Sequence, residues 1–428
     1  MNTREERDSI EKVHAALVEG SRVITDSRAV QEGDIFIALE GERHDGNRFA
    51  GEALARGARL AVVNERAAGG ERRVATRDTT RFLQQLAGHH RRYLGIPVLA
   101  ITGTNGKTTT KELCHAALSR AFVATATRGN LNNHIGVPLT LLEMNASTRV
   151  GIVEMGANHP GEIAASCAVA APDLGIITNV GDAHLEGFGS RENVARAKGE
   201  LYDFIRARGG TVFVTARDEQ LARMARGITT VTYSGTATAL YPYLACDAVT
   251  SRGQLSTGTR LVGEYNADNV AAAVAVALYF GVTPVAAREA IEGYSPSNLR
   301  SQLFQGARNT VVLDAYNANP GSMRAAIAHF AGMPGENKLL VLGEMLELGE
   351  HAAREHEALL EWVATVCPCR VLLVGRSFEA AGDGRAFARW FPDTAALVDY
   401  LRRAPVSSSL VLVKGSRGNA LEQIVECL

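Results

Sequence analysis

Ala100-Ile-Thr-Gly-Thr-Asn-Gly-Lys-Thr-Thr-Thr110 is the stretch from which the rest of this chain is read. It follows the apolar run Ile96-Pro-Val-Leu-Ala100 and leads into Lys111-Glu-Leu-Cys-His-Ala-Ala-Leu118, whose residues favour a helix. Strand, glycine-rich turn and helix are the setting of a phosphate-binding loop. Gly103 and Gly106 let the backbone curl so that its N–H groups converge on phosphate oxygens. The helix N-terminus adds partial positive charge. Lys107 is placed to reach terminal phosphates, and the Thr108 hydroxyl to ligate magnesium. Thr104, Asn105 and Thr109 complete the loop. The spacing departs from G-x-x-x-x-G-K-[ST] at its first position, where Ile101 stands. The competing reading, a Gly/Asn turn that merely caps a helix, does not explain lysine and threonine both in register after a strand.

At 428 residues the chain has room for two to four domains, and 46% hydrophobic residues supply several cores. The net charge of −1 offers no basic field for nucleic acid or an anionic membrane. The longest apolar stretch, Val270 to Val282, is too short to span a bilayer and reads as a buried helix. The first residues, Met1-Asn-Thr-Arg-Glu-Glu-Arg-Asp8, are charged and lack the apolar core of a signal sequence. Six cysteines are scattered, with only Cys367-Pro-Cys369 close-set and no second pair to complete a zinc pattern. Free thiols in a reducing cytoplasm account for them.

Three units are expected: residues 1–79, 80–297 and 298–428. In the first, Asp34-Ile-Phe-Ile-Ala-Leu39 and Arg59-Leu-Ala-Val-Val63 read as strands and Phe49 to Gly57 as a helix, with Arg72 to Thr80 as a polar linker. In the second, Val98–Thr102, Val150–Glu154, Leu174–Asn179 and Thr211–Thr215 alternate with helical stretches. That alternation predicts a doubly wound, mainly parallel sheet with its ligand crevice at the strands' carboxyl ends. The break at Gly293-Tyr-Ser-Pro-Ser-Asn-Leu-Arg300 precedes a third α/β unit, with strands expected at Val311–Ala315, Lys338–Gly343, Arg370–Gly375 and Leu410–Gly415.

Several residues fall at those carboxyl ends. Glu154 closes one strand and is a magnesium-ligand candidate, carboxylate and hydroxyl oxygens being what that ion prefers; the alternative is a carboxylate at the start of a helix. His184, just past another strand, is a candidate for a second cation or a loop cap. Lys198, in Asn193-Val-Ala-Arg-Ala-Lys-Gly-Glu-Leu201, reads from its own neighbourhood as a surface lysine in mid-helix. Asn266 and Asn269 open an alanine-rich helix; their amides suit an adenine edge, and equally an N-cap, which is the simpler reading. Arg300 and Asp314 flank the start of the third unit, where they can close over a nucleotide. Lys414 and Arg417 end a later strand, where a carboxylate can dock.

Together these segments resemble the Mur ligase family of ATP-dependent amide-bond ligases, over nearly the whole chain. Thr102-Gly-Thr-Asn-Gly-Lys-Thr-Thr109 is similar to its ATP loop. Thr25-Asp-Ser-Arg28, Gly33-Asp-Ile-Phe-Ile-Ala-Leu39 and His44-Asp-Gly46 are similar to its UDP-binding unit, which implies that Ser27, Arg28, Asp45 and Gly46 hold the uridine end. Gly129-Asn-Leu-Asn-Asn133 and Glu154-Met-Gly156 resemble its central substrate and metal segments, implying substrate roles for Asn130, Asn132, Asn133 and Asn158. Asp314-Ala-Tyr-Asn-Ala-Asn-Pro320, Leu342-Gly-Glu-Met-Leu-Glu-Leu-Gly349 and Lys414-Gly-Ser-Arg417 resemble its C-terminal set, implying that Tyr316, Asn317, Asn319, Lys414, Ser416 and Arg417 face the incoming substrate. The resemblance further implies a carbamylated Lys198 helping to bind a second magnesium, with Thr108, Glu154 and His184 as the other ligands, and Asn266 and Asn269 at adenine. Four positions depart from the family pattern: Tyr265 stands where histidine is common, Leu313 precedes Asp314 in place of a second acid, and Gly321 and Glu344 replace aspartates.

The implied reaction joins a carboxylate to an amine through an acyl phosphate, with Lys107, Lys198, His184 and Arg300 as the catalytic set. The implied substrates are ATP, UDP-MurNAc-tripeptide and D-Ala-D-Ala, handled by a cytoplasmic monomer without nucleic acid or membrane insertion. A tripeptide-forming ligase fits Tyr316 to Pro320 and the Lys-Gly-Ser-Arg segment poorly. A folylpolyglutamate synthase has no need of the uridine-type unit. A non-catalytic scaffold would be expected to lose Lys107, Thr108, Glu154, His184 or Lys198, all of which are present.

Overall fold

The computed structural model describes residues 3–41, 44–181, 185–306 and 308–428. Three main sheets organise them. The first runs Val23–Ile24, Ile35–Ile37, Leu60–Asn64, Arg73–Thr76, all parallel. Its last strand corrects the expected linker at 72–80. Val74 and Thr76 are buried while Arg73 and Ala75 are half-exposed, the period-two pattern of a strand with one covered face. Asp78 then caps the helix Thr79–Leu94 by accepting from the Arg81 N–H. The helix expected from Phe49 divides into a 3-10 turn, Gly46–Phe49, and a short α-helix, Ala50–Ala55.

The central sheet has eight strands, in the order Gly253–Gly258, Ala245–Thr250, Thr229–Ala239, Thr211–Thr215, Leu174–Ile177, Val98–Thr102, Val150–Glu154, Ala124–Ala126. Every pairing from Thr229–Ala239 onward is parallel, as the alternation of strands and helices predicts. The antiparallel meander at 229–258 is an addition the sequence reading missed. Its threonine-rich outer face lowers the hydrophobic signal, although Val231 and Tyr233 are buried on the inner one. The helix Ala267–Tyr279 packs behind it, with Val270 to Ala277 at most 1% exposed. Burial all round explains a stretch hydrophobic on every side.

The third sheet runs Gln302–Gln305, Asn309–Asp314, Ser409–Lys414, Lys338–Gly343, Arg370–Val374, Ala388–Phe391, parallel except at its first pairing. The first sheet shares an apolar cluster with the central unit, Ile35, Ile37 and Val62 packing in one core with Phe82, Leu83 and Leu86 of the helix Thr79–Leu94, whereas the third sheet buries a layer on each of its faces. Among the described residues no helix is long and apolar enough to cross a membrane.

Candidate active site

The loop after Val98–Thr102 is held from the neighbouring strand. Gly103 has φ +143°, and a Cβ there would lie 1.9 Å from Thr178 Oγ1. Gly106 has φ +81°, and a Cβ there would lie 2.5 Å from Asn269 Oδ1. Only glycine fits either position. Thr178 Oγ1 donates to the Asn105 carbonyl at 2.6 Å, and Asn179 Oδ1 accepts the Asn105 N–H at 3.0 Å. Thr178 and Asn179 therefore shape the loop, a role the sequence reading did not give them; polar residues ending an apolar strand were the available signal.

Lys107 opens the helix Lys107–Leu118 and folds back, donating from Nζ to the carbonyls of Gly103 at 2.7 Å and Thr104 at 3.1 Å. Burial pulls its ammonium down to about 8; Glu154 opposes that shift and the Arg300 charge reinforces it. Its head is thus held where phosphates are expected.

Glu154 is 1% exposed. Its Oε1 accepts from Thr108 Oγ1 at 3.2 Å and Asn132 Nδ2 at 2.8 Å. Its Oε2 is buried without a hydrogen-bond partner, the closest cation being Lys111 Nζ at 3.9 Å. A buried carboxylate oxygen left short of partners is costly. With the Thr108 hydroxyl beside it, the arrangement fits a hard divalent cation such as magnesium. Among the described residues no cluster of three or more His, Cys, Asp or Glu forms a ready-made metal centre. His184 lies outside the described residues.

Lys198 is a correction. It lies on the helix Arg191–Arg208, as expected, but is 2% exposed, not a surface lysine. Burial, and then the Lys107 charge, lowers its amine to about 7. The helical stripe Val194, Lys198, Leu201, Ile205 is the buried face, so the 4-3-4 spacing already carried the signal.

Asn266 occupies the N-cap position of the helix Ala267–Tyr279, as the simpler reading has it, but its side chain makes no capping hydrogen bond, and Asn269 lies inside the first turn. Asn269 Oδ1 accepts from Thr110 Oγ1 at 3.1 Å and its Nδ2 donates to Asn266 Oδ1 at 2.9 Å; Asn266 in turn donates to the Val262 carbonyl at 2.8 Å. This chain of amides fixes both side chains against the loop.

The third unit closes the other side. Asn319 Nδ2 donates to Asn105 Oδ1 at 2.8 Å, and the Tyr265 hydroxyl meets Ser301 Oγ at 3.1 Å. Asp314 Oδ2 accepts from Lys414 Nζ at 2.6 Å, and Lys414 is 2% exposed. The Arg300 guanidinium lies 4.0 Å from the Tyr316 ring centre, with its Nε buried and unpartnered. Between the units is a cavity of about 230 Å³, lined by 104–109 from the loop, Asn266 and Asn269, and Arg300, Asp314, Asn317, Asn319 and Lys414 from the third unit.

The remaining expected site residues do not line this cavity. Ser27 is buried; Arg28 is exposed and paired with Asp26 at 2.7 Å. Asp45 accepts from Asn47 Nδ2 at 2.8 Å, and Gly46 begins the adjacent 3-10 turn. Asn130 and Asn158 are exposed, while Asn133 Oδ1 accepts the Gly136 N–H at 2.9 Å. Ser416 Oγ accepts the Leu346 N–H at 3.0 Å, and Arg417 pairs with Glu422.

Fold and site together define a three-unit ATP-dependent ligase with a candidate nucleotide cleft between its second and third units. The chain matches the Mur ligase family, catalytic domain at residues 21–91, the Mur ligase middle domain at 101–277 and the Mur ligase, glutamate ligase domain at 299–417. It is 35% identical to UDP-N-acetylmuramoyl-tripeptide–D-alanyl-D-alanine ligase of Bacillus subtilis (strain 168), covering 95% of this chain and 92% of the relative. Among solved structures, MurF from Acinetobacter baumannii superposes with a TM-score of 0.87 at 31% identity, covering 98% of this chain and 97% of that one. MurF ligase from Thermotoga maritima, solved in complex with ADP, gives 0.84 at 26% identity over 96% and 97%. This chain belongs to the Mur ligase family.

Proposed function

We propose that this protein uses ATP to join D-Ala-D-Ala to UDP-MurNAc-tripeptide, releasing ADP and phosphate, in the making of peptidoglycan precursors. One observation carries the reading: the phosphate loop, Asn266, Asn269, Arg300, Asp314 and Lys414 share one cavity, in a chain that aligns end to end with relatives of that name. A carboxylate is a poor electrophile, so ATP first phosphorylates the tripeptide carboxylate. The dipeptide amine then attacks the acyl-phosphate carbonyl and phosphate leaves. Lys107 offsets charge on the transferring phosphoryl group, and Arg300 adds a second cation from across the cleft. Enclosure by the third unit keeps water from the acyl phosphate. Thr108 and Glu154 would hold magnesium, with His184 and a carbamylated Lys198 serving a second ion. Bound there, magnesium neutralises charge on phosphate oxygens. Residues 1–79 hold the uridine end, 80–297 the ATP, and 298–428 the dipeptide, with Tyr316, Asn317, Ser416 and Arg417 on that side. We place the enzyme in the cytoplasm, as a monomer. The direct test is phosphate release with ATP, UDP-MurNAc-tripeptide and D-Ala-D-Ala together; release that does not depend on the dipeptide would refute the reading.

Two expectations follow from this division of labour. Ser27→Ala and Arg28→Ala should each raise the apparent KM for the UDP substrate about tenfold, the loss of one charge-assisted contact, and spare that for ATP. Equal effects on both substrates would contradict it. Across the cleft the two units meet through the polar contacts Asn319–Asn105 and Tyr265–Ser301, and beside it Tyr241 stacks on His329 while Val262 packs into the third unit's core; without ligand the polar contacts should open and the third unit turn about the apolar one. ATP touches both walls and binds the closed form better. Small-angle scattering should give a smaller radius of gyration with an ATP analogue, magnesium and UDP substrate than without. Identical radii would mean a permanently assembled site.

A further inference from the structure

Cys367-Pro-Cys369 is the one motif singled out in the sequence that the ligase chemistry leaves unused. It forms the turn between the helix Ala352–Val366 and the strand Arg370–Val374. The Cys369 N–H donates to the Cys367 carbonyl at 2.7 Å, closing a γ-turn around the exposed Pro368. That turn brings the two Sγ atoms to 3.6 Å, with either thiol able to donate to the other. Cys367 is 2% exposed and packs into the third unit's core, whereas Cys369 is partly open to solvent. The other four cysteines, Cys114, Cys167, Cys246 and Cys427, are buried singly.

We propose that Cys367 and Cys369 form a redox-active dithiol, a modification site that closes reversibly to a disulfide in exchange with a low-molecular-weight disulfide. A disulfide needs its sulfurs about 2.0 Å apart, and the γ-turn has already brought the two side chains to contact, so closure asks for side-chain rotation and little backbone change. The pair loses its first proton readily. The hydrogen bond from Cys369 draws the Cys367 thiol down to about 7 against the cost of burial, with help from the Lys338 ammonium. In that pair the charge rests on Cys367, and the Cys369 thiol that donates to it is pushed up; passage of the shared proton from Cys369 to Cys367 across the 3.6 Å contact puts the charge on the more exposed sulfur. The Cys369 thiolate attacks one sulfur of the small disulfide, and the first thiolate of that reagent leaves. Cys367, as thiolate, then attacks Cys369 Sγ and the second leaves. Two electrons pass from the protein thiols to the reagent, and the two thiol protons end on the two released thiols. The ring closed is only three residues long, so it constrains the unfolded chain little and contributes little stability. Its tight geometry makes the bond easily reduced, which suits a reversible site. The site is at the amino end of its strand. Arg370 pairs with Leu339 there, while Lys414, which lines the nucleotide cavity, is in register with Leu342 near the opposite end. Oxidation is therefore separate from ATP binding.

The test equilibrates the purified full-length protein in buffers of graded reduced and oxidised glutathione, quenches in acid, alkylates free thiols after denaturation and weighs the peptides. The expected result is joint loss of both labels from the 367–369 peptide with a 2 Da decrease in its unlabelled mass, full relabelling after dithiothreitol, and labelling of the other four cysteines throughout. Cys367→Ser should accumulate one glutathione on Cys369, because the resolving sulfur is gone. Full labelling of both cysteines of the wild-type chain in oxidised glutathione would overturn the proposal. So would an unresolved glutathione adduct on wild-type Cys369.

Discussion

Lys107→Ala is expected to lower turnover by about 1,000-fold at saturating substrates, the scale at which one preorganised cation or donor stabilises charge in a transition state. The reason is local. The Lys107 head is fixed by the Gly103 and Thr104 carbonyls inside the loop that would cradle the phosphates. Those two bonds are lost on substitution, which costs about 1–3 kcal/mol. The central sheet and the helix Ala267–Tyr279 do not depend on them, so the variant should fold. Its circular dichroism should match the wild type, with a melting temperature lower by a few degrees. The pH profile adds a second readout. With the Lys107 ammonium lowered to about 8 by burial, its charge is present below that pH and lost as pH rises through it. Activity should therefore fall on the alkaline side, and Lys107→Arg should move that limb upward even where it lowers the plateau. A folded Lys107→Ala variant with unaltered phosphate release would remove this residue from the chemistry.

Most of the fold was legible because its parallel strands are buried on both faces. Val98–Thr102, Val150–Glu154 and Thr211–Thr215 have no exposed position, so they read as unbroken apolar runs at the correct bounds. Strands with one solvent face were the ones missed. Arg73–Thr76 reads as a linker and the 229–258 meander gives no strand signal, because half of each is polar. The candidate site divides in the same way. Gly103, Gly106, Lys107 and Thr108 follow from local sequence, since strand, turn and helix are contiguous. Contacts from distant segments do not: Thr178 and Asn179 grip Asn105 from just past a strand more than seventy residues on, and Asn319 from over two hundred. Asn266 and Asn269 illustrate the limit of local rules. Asparagine at a helix start reads as a cap, yet here both amides turn inward because Gly106 leaves room for Asn269. For Lys198 the 4-3-4 periodicity with Val194, Leu201 and Ile205 carries the burial, whereas residue type alone points to the surface.

That lysine carries the second large effect. Lys198→Ala is expected to reduce turnover by about 1,000-fold and to recover part of it when formate or acetate is added. An ammonium at 2% exposure, near a second lysine, is poorly placed: burial and Lys107 both disfavour its charge. Under the proposed carbamylation, adding carbon dioxide would resolve the conflict. The neutral amine nitrogen attacks the carbon, a proton leaves, and the product is a carbamate whose negative charge is attracted to Lys107. It also presents oxygen atoms, which a hard cation prefers to nitrogen. Only the unprotonated amine reacts, and with its pKa lowered to about 7 that form is abundant at neutral pH. An ordinary lysine near 10.4 would hold well under 1% of it there. The sign of the pH dependence follows. As pH falls below 7 the amine protonates and the carbamate reverts, so wild-type activity should fall on the acid side, more steeply when carbon dioxide is removed, and return with bicarbonate. Short carboxylic acids supply the missing oxygens in Lys198→Ala without repairing the helix. Carbon-13 spectroscopy after equilibration with labelled bicarbonate reads the modification apart from turnover: one carbamate resonance is expected in the wild type and none in the variant. Its absence from the wild type, or full activity of Lys198→Ala without additives, would leave Lys198 a buried amine and assign the second cation to other ligands.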